Sequence, residues 1–296
     1  MSERETENKI LLSICIPTYN REGYLRECLD SIVCQFEDPR IYGKTEIIVS
    51  DNASPDDTEK AVREYMEKYG NIKYFRNEKN IGNDNLIIVA NYATGAYLWV
   101  FADDDLHKKN SLECVIDSIE KNSPDVIFCN LDMFSKDRKI FGRNMLNINR
   151  DYLFRSKKIF FLFLNRKFYF AIDWYTTLIS NIVLKKKFLD DNSFVLDKYH
   201  SPLNLYVCPF PLYYAENKPV IKLISAPLIS YRQSDIGYGK KSRLEFEIMR
   251  DKLLTEHYRN IIRINKKILP VTFTVNVQIK KMMRLVKIIL CWFKII

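Results

Sequence analysis

The chain has 296 residues, of which 47% are hydrophobic and 28% charged, and this composition excludes an intrinsically disordered protein. Its formal net charge of +9 lies at one end, because nine of the 46 basic residues follow Glu256 and no acidic residue does. The first 256 residues are formally neutral, which argues against nucleic acid as the partner of the main body.

Cysteine usage and the hydrophobic runs bear on the compartment. The seven cysteines are odd in number, scattered and without a CxxC pair, so we expect free, mostly buried thiols and a reducing environment. The polar start MSERETENK contains no signal-peptide core, and no stretch approaches the roughly 20 apolar residues of a membrane span. These features predict a cytoplasmic protein.

Strands and helices alternate through the first 130 residues. Because the predicted strands are apolar throughout and helices separate them, we expect a parallel sheet with both faces covered. The helix after the second strand should begin with Ser54 as its N-cap and Pro55 in its first turn. The strands are predicted at 11–17, 46–50, 72–75, 97–101 and 126–129, and the helices at 24–33, from 54, near 84–94 and near 111–121.

The second half has a less regular pattern. Residues 133–143 predict a hairpin that turns near Lys136–Arg138, and residues 220–232 return to strand character. Residues 151–170 are aromatic and basic, which we interpret as a helix over the sheet.

A polar cluster follows each of the first four predicted strands. Ligands of open parallel sheets bind beyond the carboxyl ends of the strands, so these clusters should converge on one crevice. Gly82 in the third cluster permits a tight turn, and Asn20 in the first fits equally well as the N-cap of the next helix. The clusters are PTYNR (17–21), DNAS (51–54), RNEKNIGN (76–83) and the run DDD (103–105).

Asp103, Asp104 and Asp105, which we call the acidic triplet, directly follow the apolar run AYLWVF. Adjacent carboxylates repel one another, and a divalent cation would cancel that repulsion. Mg²⁺ and Mn²⁺ suit such oxygen ligands, because they bind one or two carboxylates and complete their shell with phosphate oxygens and water. The sequence lacks GxxxxGK[ST] and GxGxxG, which argues against a P-loop enzyme and a nicotinamide dehydrogenase. His107 is expected at the surface.

In these segments the chain resembles family 2 glycosyltransferases of the GT-A fold. The resemblance is carried by IPTYNREGYLRECLDSI, EIIVSDNASPDDT, RNEKNIGN, ATGAYLWVFADDD and APLISYR, and the acidic triplet is similar to that of O-antigen sugar transferases of the abequosyltransferase type. It implies an α/β protein with a Rossmann-like, mostly parallel sheet flanked by helices over residues 1–235. The nucleotide-sugar half would span about 1–130 and the acceptor half about 131–235.

The activity implied by the resemblance is a metal-dependent, inverting sugar transfer. The donor would be a nucleotide-sugar, and the acceptor a hydroxyl of a glycan or lipid-linked oligosaccharide, in surface polysaccharide or O-antigen synthesis. A divalent cation, Mg²⁺ or Mn²⁺, would bind the donor diphosphate.

Site residues are carried over from the same resemblance. Thr18 and Tyr19 would flank the nucleotide, Asp51 would contact the base, and Asp103 would lie near the ribose or the bridging oxygens. Many family members carry an aspartate where Ala102 stands, so the choice of metal ligand between Asp104 and Asp105 stays open. The full donor set is Pro17, Thr18, Tyr19, Asn20, Asp51, Asn52, Asn80, Gly82, Asp103 and Asp104.

The catalytic base should be a carboxylate or histidine within hydrogen-bond reach of the acceptor hydroxyl. The family often places it in an acidic pair before a helix in the second half, and this sequence has no evident pair of that kind. Asp190 and Asp191 are candidates, but we favour Asp197 or His200 in VLDKYHSPLNLY.

Residues 236–296 form a basic extension that we predict to be helical. In residues 277–296 four of the five basic side chains fall on one helical face, and the remainder is almost wholly apolar. Such a helix suits an anionic membrane surface, here the inner face of the cell membrane; a helix packed on the catalytic domain or on a partner subunit is the alternative. The basic residues concerned are Lys280, Arg284, Lys287 and Lys294.

Two other functions compete with sugar transfer. A sugar-nucleotide pyrophosphorylase would carry a glycine-rich phosphate loop with arginine after the first strand, and PTYNREG has no such glycine cluster. A non-catalytic nucleic-acid-binding protein could use the basic extension, but the neutral main body weighs against it.

Overall fold

The computed structural model describes residues 10–135, 138–156, 159–160, 163, 178–191 and 218–233. The helices of this part are α1 (Glu22–Val33), α2 (Pro39–Lys44), α3 (Thr58–Met66), the 3₁₀ turn Gly82–Asp84, α4 (Asn85–Asn91), α5 (Ser111–Asn122) and α6 (Lys186–Asp191). The strands are β1 (Leu12–Thr18), β2 (Thr45–Asp51), β3 (Ile72–Arg76), β4 (Tyr97–Val100), β5 (Leu106–His107), β6 (Val126–Phe134), β7 (Ile140–Gly142), β8 (Tyr152–Phe154), β9 (Ile182–Lys185) and β10 (Ile221–Arg232).

The first four strands form the parallel part of the sheet, in the order β3-β2-β1-β4. Successive side chains of a strand point to opposite faces, and here both faces are buried. On β1, Ile14 and Ile16 pack with Leu25 and Ile32 of α1, whereas Cys15 packs with the apolar side of α4. This confirms the predicted parallel arrangement with helices on both faces.

The rest of the sheet is mixed. Strand β9 lies between β4 and β6 and is antiparallel to both, while β6 and β10 are parallel to each other. Strands β5, β7 and β8 add antiparallel pairs at β10 and β6. The whole sheet is the mixed, Rossmann-like sheet that the resemblance implied, although the sequence pattern did not predict β9.

Strand β10 pairs with β6 in a register that shifts partway along the strand. Its pairing with β6 shifts around Pro227, a residue that cannot donate a backbone hydrogen bond. After the shift the strand continues to Arg232, which lies beside the acidic triplet.

Two predicted element boundaries were wrong. Helix α3 begins at Thr58 rather than at Ser54, because Ser54 N–H donates to Asp51 and Asp56 accepts hydrogen bonds from Thr58. Within the predicted helix at 151–170, Tyr152–Phe154 is strand β8, and the described residues of this segment that are helical are 159, 160 and 163.

The predicted hairpin is confirmed, because β6 and β7 pair antiparallel across the segment that contains Lys136–Arg138. The extension at 236–296 lies outside the described residues. No helix in the part of the chain that the structure describes is both long enough and apolar enough to cross a bilayer.

The amino ends of the parallel strands are closed by a buried polar network. Glu46 of β2 accepts hydrogen bonds from Ser13 at 2.6 Å and from Thr94 at 2.7 and 2.8 Å, and it pairs with Lys73 at 2.7 Å. Gly95 approaches so closely that a Cβ there would lie 2.6 Å from the hydroxyl oxygen of Ser13. The amino ends of the parallel strands are therefore covered by protein groups, and the polar clusters lie at their carboxyl ends.

Candidate active site

The carboxyl ends of β1, β2, β3 and β4 lie side by side, and hydrogen bonds join the loops that follow them. Thr18 Oγ1 donates to Asp103 Oδ2 at 2.8 Å, and Asn52 N–H donates to the carbonyl oxygen of Thr18 at 2.9 Å. Arg76 at the end of β3 donates to Asp51 at the end of β2. The polar clusters that should share one crevice are therefore connected in space.

Arg21 bridges two members of the acidic triplet. Its Nη1 lies 3.0 Å from Asp103 Oδ1 and 3.2 Å from Asp104 Oδ2. The Arg21 side chain is 38% exposed, whereas the Asp103 and Asp104 side chains are 6% and 14% exposed. A partly solvated cation thus lies over two largely buried carboxylates.

Asp105 points into the protein. Its Oδ2 accepts a hydrogen bond from Ser180 Oγ at 2.6 Å, and its Oδ1 accepts one from Arg232 N–H at 2.8 Å. Ser180 also connects to β4, because its hydroxyl accepts from Ala102 N–H and its carbonyl oxygen accepts from Trp99 Nε1. The loop before β9 therefore holds the end of β4 through Asp105.

Arg232 fixes the backbone of the triplet from the other side. Its Nε donates to the carbonyl oxygen of Asp104 at 2.8 Å, and its Nη2 pairs with Glu27 of α1. The guanidinium lies 4.9 Å from the ring centroid of Tyr24 and 4.6 Å from that of Phe134, within the range of cation–π contacts. With a side chain 4% exposed, Arg232 is a buried clamp.

Charging the triplet is costly. Burial raises the pKa of Asp103 to about 6, although Arg21 opposes the shift. Burial also raises the pKa of Asp104, and it raises that of Asp105 well above its ordinary value, with repulsion from Asp104 adding to the effect. Because each charged carboxylate makes its neighbours harder to ionise, a positive group beside them stabilises the ionised triplet.

Asp51 is fully buried, and both of its carboxylate oxygens accept hydrogen bonds from protein groups. Its Oδ1 accepts from Ser54 N–H at 2.8 Å, and its Oδ2 accepts from Tyr74 at 2.6 Å and from Arg76. In this conformation Asp51 shapes the loop that follows β2, and a base that contacts it would have to displace one of these donors.

Asn52 organises the third polar cluster. Its Nδ2 donates to Asn80 Oδ1 at 2.8 Å and to the Gly82 carbonyl oxygen, while its Oδ1 accepts from Ile81 N–H and Asn77 Nδ2. Gly82 has a φ of 61°, in the left-handed region that glycine adopts without strain. Asn52, Asn80 and Gly82 are therefore brought together as expected, as one folded loop.

The loop after β1 presents exposed groups at the rim of the crevice. Tyr19 is 43% exposed and Asn20 is also exposed, whereas Thr18 is buried and Pro17 half-buried. Asn20 does not cap α1, because Arg21 occupies the cap position and Asn20 has a left-handed φ of 53°. Its N–H instead donates to Ser54 Oγ, which joins the first two loops.

The expectation that His107 lies at the surface was wrong. His107 is 6% exposed, with its ring stacked on Phe101 at 4.1 Å and edge-on to Trp99 at 4.5 Å. Burial lowers its pKa to about 3, so the imidazole is neutral at physiological pH. His107 lies on strand β5, where it pairs with Ile229 of β10, and its side chain is buried in the core.

The favoured base candidates, Asp197 and His200, lie outside the described residues. Asp190 and Asp191 lie on α6, which begins beside the amino end of β4, where β9 pairs with it. The acidic triplet follows the opposite, carboxyl end of β4. Asp191 pairs there with Lys187 at 3.2 Å.

Three residues at the site were missed from the sequence as site residues: Arg21, Ser180 and Arg232. Arg21 and Arg232 stood inside the quoted segments PTYNR and APLISYR, so a signal was present. Ser180 had none, because a serine after a loop and before an unpredicted strand looks like any surface serine.

Asp103 and Asp104, which share Arg21 as a partner, are the two carboxylates of the triplet that fit a divalent cation. In the stretches that the structure describes, no group of three or more His, Cys, Asp or Glu side chains could hold a metal ion. Mg²⁺ at nucleotide sites needs only one or two carboxylates, because phosphate oxygens and water complete its shell. Arg21 already brings a positive charge to this pair, whereas both oxygens of Asp105 are used within the protein.

The fold is that of GT-A glycosyltransferases. A fragment of TarS from S. aureus in complex with UDP-GlcNAc matches with a TM-score of 0.58 and 19% identity, over 82% of this chain and 66% of that one. The mannosyltransferase PcManGT from Pyrobaculum calidifontis, in complex with GDP-Man and Mn²⁺, matches with a TM-score of 0.55 and 17% identity, over 90% and 68% of the two chains. At these identities the likeness concerns the fold alone.

The family follows from the sequence comparison. The family model described as Glycosyl transferase family 2 matches residues 13–180, more than half of the chain. Abequosyltransferase RfbV of Salmonella typhimurium is 31% identical in an alignment over 252 residues that covers 79% of this chain and 70% of that protein. The chain belongs to glycosyltransferase family 2 and is a glycosyltransferase, which confirms the resemblance read from its motifs.

The raised pKa of Asp103 predicts a pH dependence of stability. Because the folded protein binds this proton up to about pH 6 and the unfolded chain only to about pH 4, the free energy of unfolding should fall as pH rises between them. Asp103→Asn removes the titration, so it should gain on the order of 1–2 kcal/mol over wild type between pH 4 and pH 7. Urea unfolding in EDTA at several pH values measures this difference.

Asp56→Asn is the matched control with the opposite sign. Burial would raise the pKa of Asp56, but hydrogen bonds from Thr58 and Glu22 hold it below its ordinary value. This variant should therefore lose stability relative to wild type as pH rises from acid towards neutral. Parallel pH curves for wild type and Asp103→Asn would contradict the description of the triplet.

Proposed function

We propose that this chain transfers a sugar from a nucleotide-sugar donor to a hydroxyl of a glycan or lipid-linked oligosaccharide, with a divalent cation at Asp103 and Asp104 and with inversion at the anomeric carbon. One observation carries the proposal. Two largely buried carboxylates with raised pKa values lie where the loops after four parallel strands meet, and a cationic side chain already bridges them.

The chemistry of donor binding suits these residues. The two solved relatives were obtained with UDP-GlcNAc and with GDP-Man and Mn²⁺, which supports a nucleotide-sugar diphosphate as the ligand here. Asp104, with Asp103 beside it, would hold the cation, and a cation bound there would stabilise the charge that develops on the leaving diphosphate. Tyr19 at the rim and the Asn52 loop would border the nucleotide.

The acceptor side of the proposal rests on the second half of the chain. An inverting transfer needs a base that removes the proton of the acceptor hydroxyl as that oxygen attacks the face opposite the leaving group. Asp197 and His200 remain our proposed bases. The relation to an abequosyltransferase supports an acceptor of the surface-polysaccharide or O-antigen class.

We also propose that residues 236–296 dock the enzyme on the inner face of the cell membrane, where a lipid-linked acceptor would be met. The support is the basic, apolar composition of this extension. Removing residues 270–296 should move the protein from the membrane pellet to the supernatant, and unchanged partitioning would exclude membrane docking by this segment.

The metal assignment predicts different outcomes for two neighbouring aspartates. With UDP-, GDP-, CDP- and dTDP-sugars tested separately, wild type should be protected against thermal unfolding by one of them in the presence of Mn²⁺ or Mg²⁺. Asp104→Ala should lose this metal-dependent protection without lowering the melting temperature of the ligand-free protein, because the ion pair that it removes involves the partly exposed Arg21 and the carboxylate that it removes is costly to ionise.

Asp105→Ala is the matched control. It should melt several degrees lower in every buffer, because it leaves Ser180 Oγ–H and Arg232 N–H without their acceptor, yet it should keep the metal-dependent protection. Loss of protection in Asp105→Ala with full protection in Asp104→Ala would reverse the assignment, and no protection of wild type by any donor would refute the proposed activity.

A further inference from the structure

The contacts of Arg21 differ from those of the other arginine at the triplet. The hydrogen bonds of its guanidinium go to the carboxylates of Asp103 and Asp104, and 38% of the side chain is exposed. Arg232, by contrast, is held by a backbone carbonyl, by Glu27 and by two aromatic rings. Arg232 is fixed in the fold, whereas the partly exposed Arg21 can exchange its two carboxylate partners for solvent or for another anion.

The position of Arg21 coincides with the place proposed for the cation. One guanidinium nitrogen contacts one oxygen of each carboxylate, which is also what a metal ion shared by the pair would do. Arg21 precedes α1 and does not belong to it, so its side chain can turn without disturbing the helix.

Charge balance decides when the exchange is favourable. Two ionised carboxylates and Arg21 together carry one net negative charge. A divalent cation bound alone would either add to these three groups, which gives one net positive charge in a largely buried site, or release the Arg21 guanidinium without an anionic partner. A nucleotide-sugar diphosphate brings two further negative charges, so the cation and the diphosphate together restore the original balance. The guanidinium, once released, is a good partner for diphosphate oxygens.

We propose that Arg21 occupies the cation position of the donor-free site, so that a divalent cation binds well only together with the donor diphosphate, onto which Arg21 then moves. This inference rests on the proposed function. It makes Arg21 a positioning residue that couples cation binding to donor binding, and such coupling is reciprocal.

The test measures Mn²⁺ affinity directly, from the electron paramagnetic resonance signal of free Mn²⁺, without an activity assay. Arg21→Gln removes the competing charge and keeps hydrogen-bonding capacity. Arg26→Gln is the matched control, because Arg26 lies five residues further on, in α1, and pairs with Glu22 and Glu64 away from the triplet. Each protein is titrated alone and with UDP, GDP, CDP or dTDP.

Without nucleotide, Arg21→Gln should bind Mn²⁺ at least about tenfold more tightly than wild type and Arg26→Gln, a difference of about 1.4 kcal/mol. The gain in Mn²⁺ affinity on adding the effective nucleoside diphosphate should be smaller in Arg21→Gln by the same factor or more. Circular dichroism verifies folding, and Arg21→Met replaces the glutamine variant if that one does not fold.

Two other outcomes overturn different claims. If nucleotide-free Arg21→Gln binds Mn²⁺ no better than Arg26→Gln, while a nucleoside diphosphate still strengthens Mn²⁺ binding to both, the role of Arg21 is refuted and the proposed function stands. If no variant binds Mn²⁺ with any of the four nucleoside diphosphates, the metal-dependent function is refuted, and the role of Arg21 with it.

Discussion

The burial of three consecutive carboxylates at the end of β4 is the constraint on which the rest of the site depends. Ionised carboxylates resist removal from water and repel one another, so each needs a partner. The fold supplies these partners from distant segments: Thr18 from β1, Ser180 from the loop before β9, and Arg232 from the end of β10. The triplet is therefore one of the points, besides the pairing of β9 with β4, at which the two halves of the described chain are joined.

The partners divide the triplet into a structural part and a chemical part. Both carboxylate oxygens of Asp105 accept hydrogen bonds from protein groups. Burial and repulsion from Asp104 raise its pKa, so its surroundings disfavour the charged form. Asp103 and Asp104 are paired with the partly exposed Arg21, which we propose to be their exchangeable counter-ion. A site that binds a charged donor needs charged groups that are not fully paired within the protein, because fully paired groups would gain no interaction energy from the ligand.

Sequence reasoning reached the parallel half of the fold and the convergence of its loops, because apolar runs and strand-end polar clusters are local signals. It failed where tertiary contacts decide. His107 reads as polar but is enclosed by aromatic rings, and α3 starts late because Ser54 and Asp56 are engaged in loop hydrogen bonds. Strand β9 escaped prediction because three apolar residues before three lysines have no distinct period, and Ser180 could not be recognised without it.

Membership of glycosyltransferase family 2 gives the reaction class. We propose that in this chain the triplet and Arg21 couple cation binding to donor binding. The most direct measurement is anomalous diffraction from crystals grown with Mn²⁺ and the nucleoside diphosphate that binds. The account predicts a manganese peak about 2.1 Å from an Asp104 oxygen, with Arg21 turned towards the diphosphate and Asp105 still bonded to Ser180. A manganese ion bound elsewhere, with Arg21 still bridging Asp103 and Asp104, would contradict it.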